Sequence, residues 1–521
     1  MRPVLWSPPV EPSPVERTVI RLVRRAKLFV FLREHRHELF DGAFQEELAA
    51  TYLDSAKGQP PVAAAQLAAA TILQAYTGVS DDEVIEATVM DRRWQLVLDC
   101  MDAAEPPFSK GTLVGFRRRL IDADLDRRLV ERTVEIAARS GGFGARALRG
   151  ALDSSPLWGA GRSEDTLNLM GHALGKALGV IAVQQGRGLA ATGDLAIEAH
   201  APILAGSSLK AALDLDWDDP ASRDEALAVV LAALQAVEAF VASADVLGTA
   251  TAVVALAHTV KDQNVDVDDE GRATMRRGVA KDRRISIEDP DMRHGRKSRS
   301  NLFNGYKRHV LRDLDSGLIR AVGITAANVP EATVTDDIAA DLDAQNAVLA
   351  ELHIDRGYLS STLVRDRGND LIIFCKAWRV RNTGGRYPKT DFGIDFTTGR
   401  LTCPNQVTIP FTVGTTVHFP TDTCAACPLQ TRCTSSTHGR SVSIHPDEAL
   451  LAELRQRQKT ANGRAQLRER TKIEHALAHV GHWQGKRARY RNARKNLFDL
   501  RRVAVVHNLH VIARQHLATT T

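Results

Sequence analysis

The chain has 521 residues, more than one hydrophobic core usually serves, and this length predicts about three domains. Apolar residues make up 44% and charged ones 25%, which excludes a disordered or fibrous chain, while six cysteines exclude a disulfide-dense secreted scaffold. Lys and Arg number 68 against 63 Asp and Glu, a net charge of +5, so a polyanion-binding surface has to come from clustering rather than from the total.

Met1–Val15 is Pro-rich and lacks the apolar core of a signal peptide. Val15–Phe40 carries apolar residues at helical spacing, and Pro60-Pro61 opens an Ala- and Leu-rich helix over 62–76 that stops at Gly78. Ser80 with Glu83 three residues on predicts a capping box for the next helix. Phe116-Arg117-Arg118-Arg119-Leu120 lies on a basic helix, either a solvated face or a phosphate-contacting one. Arg149–Pro156 predicts a short strand ending in a turn, and helices follow from about Glu164 to His258. Their Ala-rich run over 226–260 holds Glu238 and Asp245, charges that a membrane span rarely carries, so it predicts buried helices and no membrane partner. Lys307–Leu314 and Ile319–Thr325 predict a hairpin around Asp315-Ser316-Gly317. Glu331–Asn346 is a helical pattern, Val348–Ile354 a strand ending at Asp355, and Asp370–Ala377 another apolar, β-branched run. Residues 379–446 are loop-rich and hold four cysteines, and from Glu448 to about His516 the pattern is helical and increasingly basic. No repeat of fixed period is present.

Two aspartates stand after apolar strands: Asp153 follows Ala151-Leu152, and Asp355 follows Leu352-His353-Ile354. Open α/β sheets bind ligands outside the carboxyl ends of their strands, where an acid meets solvent or a metal. Glu474 lies four residues after Arg470 on a helical stretch, so the two share one face. The plain alternative for each acid is a helix cap, a turn or a surface ion pair. Two carboxylates suit a hydrolase dyad, whereas three hard oxygen ligands with open positions suit Mg²⁺ or Mn²⁺.

With Asp153 in ALDSSP, Asp355 in HIDRGY and Glu474 in RTKIEH, the chain resembles the DDE transposases of bacterial insertion sequences, whose catalytic domain is ribonuclease H-like. GVSDDEVIEATVMDRRWQLVLD and PFSKGTLVGFRRRL resemble the helical N-terminal domain of these proteins. IEDPD with GYK resembles the approach to the second strand, and RARYRNARKNLFDLRRVAVVHNLHVI resembles the closing helices, so the likeness runs from about residue 45 to 515. It implies an α/β fold: a ribonuclease H-like mixed sheet flanked by helices, an all-α N-terminal domain, a helical insertion and a small Cys-rich insertion. The implied divisions are an arm and helix over 1–45, a helical DNA-binding domain over 46–148, and a catalytic domain over 149–378 and 448–516. The helical insertion then covers about 165–280 and the Cys-rich insertion 379–447. About 200 residues separate Asp153 from Asp355 and about 120 separate Asp355 from Glu474, too many for a compact unit without such insertions.

The resemblance further implies cleavage at the element ends and 3′-hydroxyl strand transfer into target DNA, with Asp153, Asp355 and Glu474 holding two Mg²⁺ or Mn²⁺ ions. Its implied partners are double-stranded DNA, as terminal inverted repeats and target, and further copies of the chain in a dimeric or larger synaptic complex. The implied location is the bacterial cytoplasm, on the nucleoid. The alternatives are an inactive or domesticated transposase-derived DNA-binding protein, and a simple metal-dependent nuclease. The family's glutamate signature carries Tyr and Lys where this chain has Leu467 and Gly481. Lys486 or Arg487 is then the expected substitute phosphate contact, with Glu469 as the fallback acid.

Cys403, Cys424, Cys427 and Cys433 follow the pattern C-x20-C-x2-C-x5-C. A C-x2-C pair presents two thiolates to one tetrahedral Zn²⁺ and the other two complete the shell, with His418 and His438 as substitutes. Four reduced structural cysteines without metal are the alternative to this one structural Zn²⁺. Cys100 and Cys375 lie alone in apolar runs and are expected in the core. Lys486, Arg487, Arg489, Arg491, Arg494, Lys495, Arg501 and Arg502 are accompanied by one acid, Asp499, with Trp483 and Tyr490 as stacking surfaces. This cluster, with Arg117, Arg118, Arg119 and Arg470, predicts DNA-backbone binding that weakens steeply with salt. His475, His479 and His482 are expected on the surface or facing DNA.

Overall fold

The computed structural model describes residues 1–54, 59–139, 147–206, 208–243, 248–298, 300–378, 380 and 384–519. Asp245, one of the two charges in the Ala-rich run, lies outside the described residues. Helices occupy the first part of the chain: α1 (Pro14–Leu22), α2 (Lys27–Leu39), α3 (Gly42–Ala49), α4 (Ala64–Thr77), α5 (Asp81–Met90), α6 (Arg92–Leu98), α7 (Lys110–Asp122) and α8 (Leu125–Arg139). Their starts follow from side chains that satisfy the first backbone N–H groups. Ser13 and Ser80 each close a capping box, the second being the one expected with Glu83, and Asp41 and Ser109 accept at α3 and α7. The helical pattern over 15–40 is two helices, because the chain turns extended at Val23. Gly78 ends α4 at φ +76°, where a Cβ would be strained.

Six strands form the main sheet: β1 (Ala147–Trp158), β2 (Arg293–Arg296), β3 (Leu302–Asp313), β4 (Ile319–Ala326), β5 (Val348–Ile354) and β6 (Ile372–Cys375). β3 runs antiparallel to β1 from Gly150↔Asp313 to Trp158↔Gly305, and β4 pairs antiparallel with β3 beyond it. β5 runs parallel to β1, and β6 parallel to β5. β2 shares the outer edge of β3 with β4, taking residues 302–305. The expectation of a short strand ending near Asp153 is corrected here. β1 has a partner of equal length in β3, so it continues to Trp158 and Asp153 sits in its interior.

Between β1 and β2 lie α9 (Thr166–Gln184), α10 (Pro220–Ser243) and α11 (Thr249–Asn264), which pack around their own core of Met170, Leu174, Leu178, Val230, Leu234 and Val254. α9 and most of α10 have the length and composition of membrane spans, and α9 is mostly buried within that core. After β4 comes α12 (Thr335–Ala344), and the C-terminal part holds α13 (Glu448–Lys459), α14 (Ala461–Glu469), α15 (Thr471–Gln484) and α16 (Ala493–Thr519). Between β6 and α13 lie β7 (Gly393–Asp395), β8 (Arg400–Thr402) and β9 (Thr408–Pro410) in one small sheet, and β10 (Thr416–His418) paired with β11 (Ser441–Ser443).

The N-terminal helices share their core with the sheet. One cluster runs from Leu28, Phe44, Leu73 and Phe116 through Ala151, Val310 and Val322 to Ile473, Val503 and Val506. Burying a side chain of this kind is worth about 1.5–3 kcal/mol, so α15 and α16 weld the helical part to one sheet face. The opposite face packs Leu152, Leu311 and Leu352 against Ile338 of α12 and Leu451 and Leu454 of α13.

Candidate active site

The parallel register Arg149↔Glu351, Gly150↔Leu352 and Ala151↔His353 decides where the two aspartates stand. Continued by two residues it sets Asp153 beside Asp355, on one face, because side chains alternate along a strand and neighbouring strands lie about 4.8 Å apart. β5 stops at Ile354, and Asp355 caps the single turn Arg356–Tyr358 by accepting a hydrogen bond from the Gly357 N–H at 2.8 Å. Arg470, at the junction of α14 and α15, reaches Asp153 Oδ2 with Nη1 at 2.5 Å.

A third carboxylate, which the sequence pattern does not single out, joins them. Glu331, first residue of the 3₁₀ turn Glu331–Val334 after β4, accepts a hydrogen bond from Ser154 Oγ at 2.5 Å. A Cβ on Gly357 would lie 2.2 Å from Glu331 Oε2 and 3.0 Å from Asp355 Oδ1, so glycine in DRGY is what lets Glu331 approach. Tyr358, the last residue of that motif, is buried beneath, with its hydroxyl 2.8 Å from His309 Nδ1. Burial, with Lys307 adding to it, drives the His309 pKa down to about 3, so this ring stays neutral. By sequence pattern Glu331 is only the first residue of a helical stretch. The available signal is positional: it follows β4 as Asp355 follows β5.

Asp355, Glu331 and Ser154 line a cleft of about 340 Å³ together with Arg296, Lys297 and Lys307. Burial, followed by Glu331 and Asp153, raises the Asp355 carboxyl pKa, against the Gly357 N–H and Arg470. Burial, aided by Lys297, lowers the Lys307 ammonium pKa, against Glu331 and Asp355. Lys307 Nζ donates to Val329 O at 2.7 Å and Lys297 Nζ to Ser154 O at 3.1 Å. The site therefore combines mutually repelling oxygen donors with a cationic flank, a set suited to a divalent cation and a phosphate diester.

Glu474 stands outside this group. It is exposed on α15, one turn beyond Arg470, while Ile473, Ala476 and Val480 face the core. Among the described residues no three His, Cys, Asp or Glu side chains are assembled to hold an ion as they stand. Glu469 pairs with Lys472 at 2.6 Å. Half-buried Leu467 replaces the family Tyr; at the Lys position, a Cβ on Gly481 would lie 3.2 Å from Arg308 Nη2. Arg308, buried, donates there to Gln484 Oε1 and Gly485 O.

The chain matches a Transposase domain (DUF772) over residues 24–119 and two Transposase DDE domain models over residues 262–376 and 402–513. The chain belongs to the DDE transposases. Membership implies a nuclease or transferase acting in transposition. The first DDE match spans Asp355 and Glu331, the second Glu474 and the four clustered cysteines, and Asp153 lies in neither. No curated protein and no solved structure gives a significant match.

In the transposase the basic residues divide by burial. Arg117 is buried against Asp81 at 2.5 Å, and Arg119 stacks over the Tyr52 ring at 4.3 Å. Arg494 pairs with the buried Asp126 at 2.6 Å, and Arg491 with Glu288 at 2.6 Å. Arg501 and Arg502 are buried, and Tyr490 and Trp483 contact Phe498 and His510 inside the fold. Arg487 reaches Gly159 O and Ala160 O, and Arg489 reaches Gly78 O and Val79 O, though both remain exposed. Arg118, Lys486 and Lys495 are exposed, as are His475, His479 and His482. Cys375 is buried and Cys100 half-buried, and all six thiols are free.

Proposed function

We propose that this transposase cuts DNA at the ends of an insertion sequence and joins the freed 3′-hydroxyls to target DNA. The observation that carries the reading is the placement of Asp153 and Asp355 side by side on adjacent parallel strands. Strand order supports a ribonuclease H-like reading of the sheet: β4, β3 and β1 antiparallel, with β5 and β6 parallel to β1.

The residues fit a divalent metal. Asp153, Asp355 and Glu331 are hard oxygen donors; burial first, and then the neighbouring Glu331 and Asp153 charges, raise the Asp355 pKa, and a bound cation would offset both. Asp153 and Asp355 would hold Mg²⁺ or Mn²⁺, with Glu331 or Glu474 as third carboxylate. Such ions, two in the family reading, supply polarisation of the phosphodiester and an acidified water when bound. Arg470 pairs with Asp153 and would have to release it as a metal enters. Gly357 and Tyr358 fix the Asp355 turn, and Lys297 and Lys307 meet the scissile phosphate from the flank. Arg118, Lys486, Arg487, Arg489 and Lys495 provide exposed contacts for the duplex backbone. Pairing two element ends calls for at least two copies of the chain, acting on the nucleoid in the bacterial cytoplasm.

The test is Mg²⁺-dependent processing of a duplex carrying an element end and its flank. Asp153→Ala and Asp355→Ala are expected to abolish cleavage and joining while binding the end within about twofold of the parent chain. Full activity of either variant refutes the assignment. A parent chain that cleaves without joining is a simple nuclease, and one that binds without cleaving is a non-catalytic DNA-binding protein.

A further inference from the structure

The segment between β6 and α13 is a module with very little core. Its strands are three residues long, and its fully buried hydrophobic cluster is Phe392, Leu401, Phe419, Val442 and Ile444. Modules this small generally need a covalent or metal staple to hold one conformation. All of its thiols are free, so no disulfide supplies one.

Four cysteines from separate pieces of the module converge. Cys403 closes the turn after β8, where its N–H donates to Val407 O and the Gln406 N–H returns to Cys403 O. Cys424 lies on the short helix Thr421–Ala425, and Cys427 follows it, with its N–H on Cys424 O. Cys433 ends the helix Gln430–Cys433. All four line one cavity of about 30 Å³, walled by Tyr387, Phe419 and Leu429. A space of about 10–15 Å³ already takes one water-sized sphere. The cavity is therefore large enough for one ion, while its walls offer few polar partners to an ordered water.

We propose that this cavity is a structural Zn²⁺ site in which Cys403, Cys424, Cys427 and Cys433 are the four ligands. Thiolates are soft donors that select zinc over the hard cations suited to the carboxylate site, and four complete a closed tetrahedral shell. His418 and His438, the substitute ligands the spacing allowed, are both exposed and neither lines the cavity. Four thiolates on one Zn²⁺ leave two negative charges, and the surroundings offer compensation. Arg440 donates to Cys433 O at 3.0 Å and Tyr387 O at 3.1 Å, and Arg432 lies over the Tyr387 ring at 4.9 Å. Gly439, at φ +82°, brings the chain over the cluster: a Cβ there would lie 2.9 Å from Phe419 O and 3.4 Å from Cys424 Sγ. Among the described residues no three such side chains are already set to hold an ion, so binding has to draw the thiols together and displace their protons.

The full-length chain, purified without chelator, is expected to carry about one zinc per chain by elemental analysis. Cys424→Ser/Cys427→Ser is expected to lose it and Cys100→Ser to keep it. Because the double variant can fail to fold, a second measurement uses the parent chain: zinc removed by chelator and replaced by Co²⁺. Intense thiolate-to-cobalt absorption with tetrahedral d–d bands, and renewed resistance of residues 384–447 to protease, support the site. A folded parent chain that binds neither metal, with the four clustered thiols titrating freely, overturns it. So does a disulfide among the four cysteines.

Discussion

Replacing Asp126 by asparagine should loosen the N-terminal helices from the sheet. Asp126, near the start of α8, is fully buried and takes two arginines of α16, Arg494 at 2.6 Å and Arg501 at 3.2 Å. Asparagine keeps the volume and removes the charge, leaving both guanidiniums facing a neutral amide. Breaking a buried pair in this way costs about 3–5 kcal/mol. Arg501, 7% exposed, keeps Asp124 at 2.6 Å and Asp341 at 3.5 Å, and Arg494, 34% exposed, reaches Asp124 at 3.3 Å and solvent. The lower end, about 3 kcal/mol, is therefore expected. Urea unfolding followed by circular dichroism reads the loss, and limited proteolysis shows whether 1–139 opens first. Asp124→Asn, at a position 49% exposed, serves as control and should cost under about 1 kcal/mol. If Asp126→Asn costs no more than the control, the ion cluster is effectively solvated and the proposed weld of α8 to α16 is wrong.

Two further outcomes bear on the site and its DNA. Gly357→Ala should drive Glu331 off Asp355, since the clashing atom is the free end of a flexible side chain; metal-dependent cleavage should fall about tenfold or more while the urea midpoint barely moves. Lys486→Ala and Lys495→Ala should each reduce the salt slope of end binding by about one, as one phosphate contact does, whereas Arg117→Ala and Arg494→Ala should lower stability instead.

The strands were legible because their patterns are local. Val348–Ile354 is an unbroken apolar run, and Lys307–Leu314 with Ile319–Thr325 surrounds a turn. Asp153 and Asp355 were legible as acids after apolar runs, but their adjacency was not, because a parallel register is set by packing over distant residues. Glu331 was hidden for the same reason, its role depending on Gly357 making room from another loop. The basic tail misled in part. Composition reveals that arginines cluster, not that Arg494, Arg501 and Arg502 spend their charge on buried acids. The shared core was illegible as well: α1–α8 look like a separate helical domain until α16 is seen to bury its apolar side chains among them.

The site draws on residues from six separated segments, and the way the insertions attach explains how it survives them. The helical insertion leaves β1 and returns to β2 at nearly one point: the Gly159 N–H donates to Asn304 O and the Glu164 N–H to Ile285 O. Trp158, the last residue of β1, is pinned from the other side by Lys486 O and the Ala488 N–H. The Cys-rich module is tied at its base too. The Ala377 N–H donates to Gln458 Oε1, Arg457 donates to Ile373 O, and Lys389 pairs with Glu448. With ends held this close, lengthening a loop costs only about 0.6 kcal/mol per doubling, so a large insertion need not strain the sheet. β1 and β5 keep their register, and Asp153 and Asp355 stay neighbours. Arg470 depends on a different anchor, the burial of Ile473, Ala476 and Val480 against the sheet. A change in that helix face would release Asp153 without touching either strand.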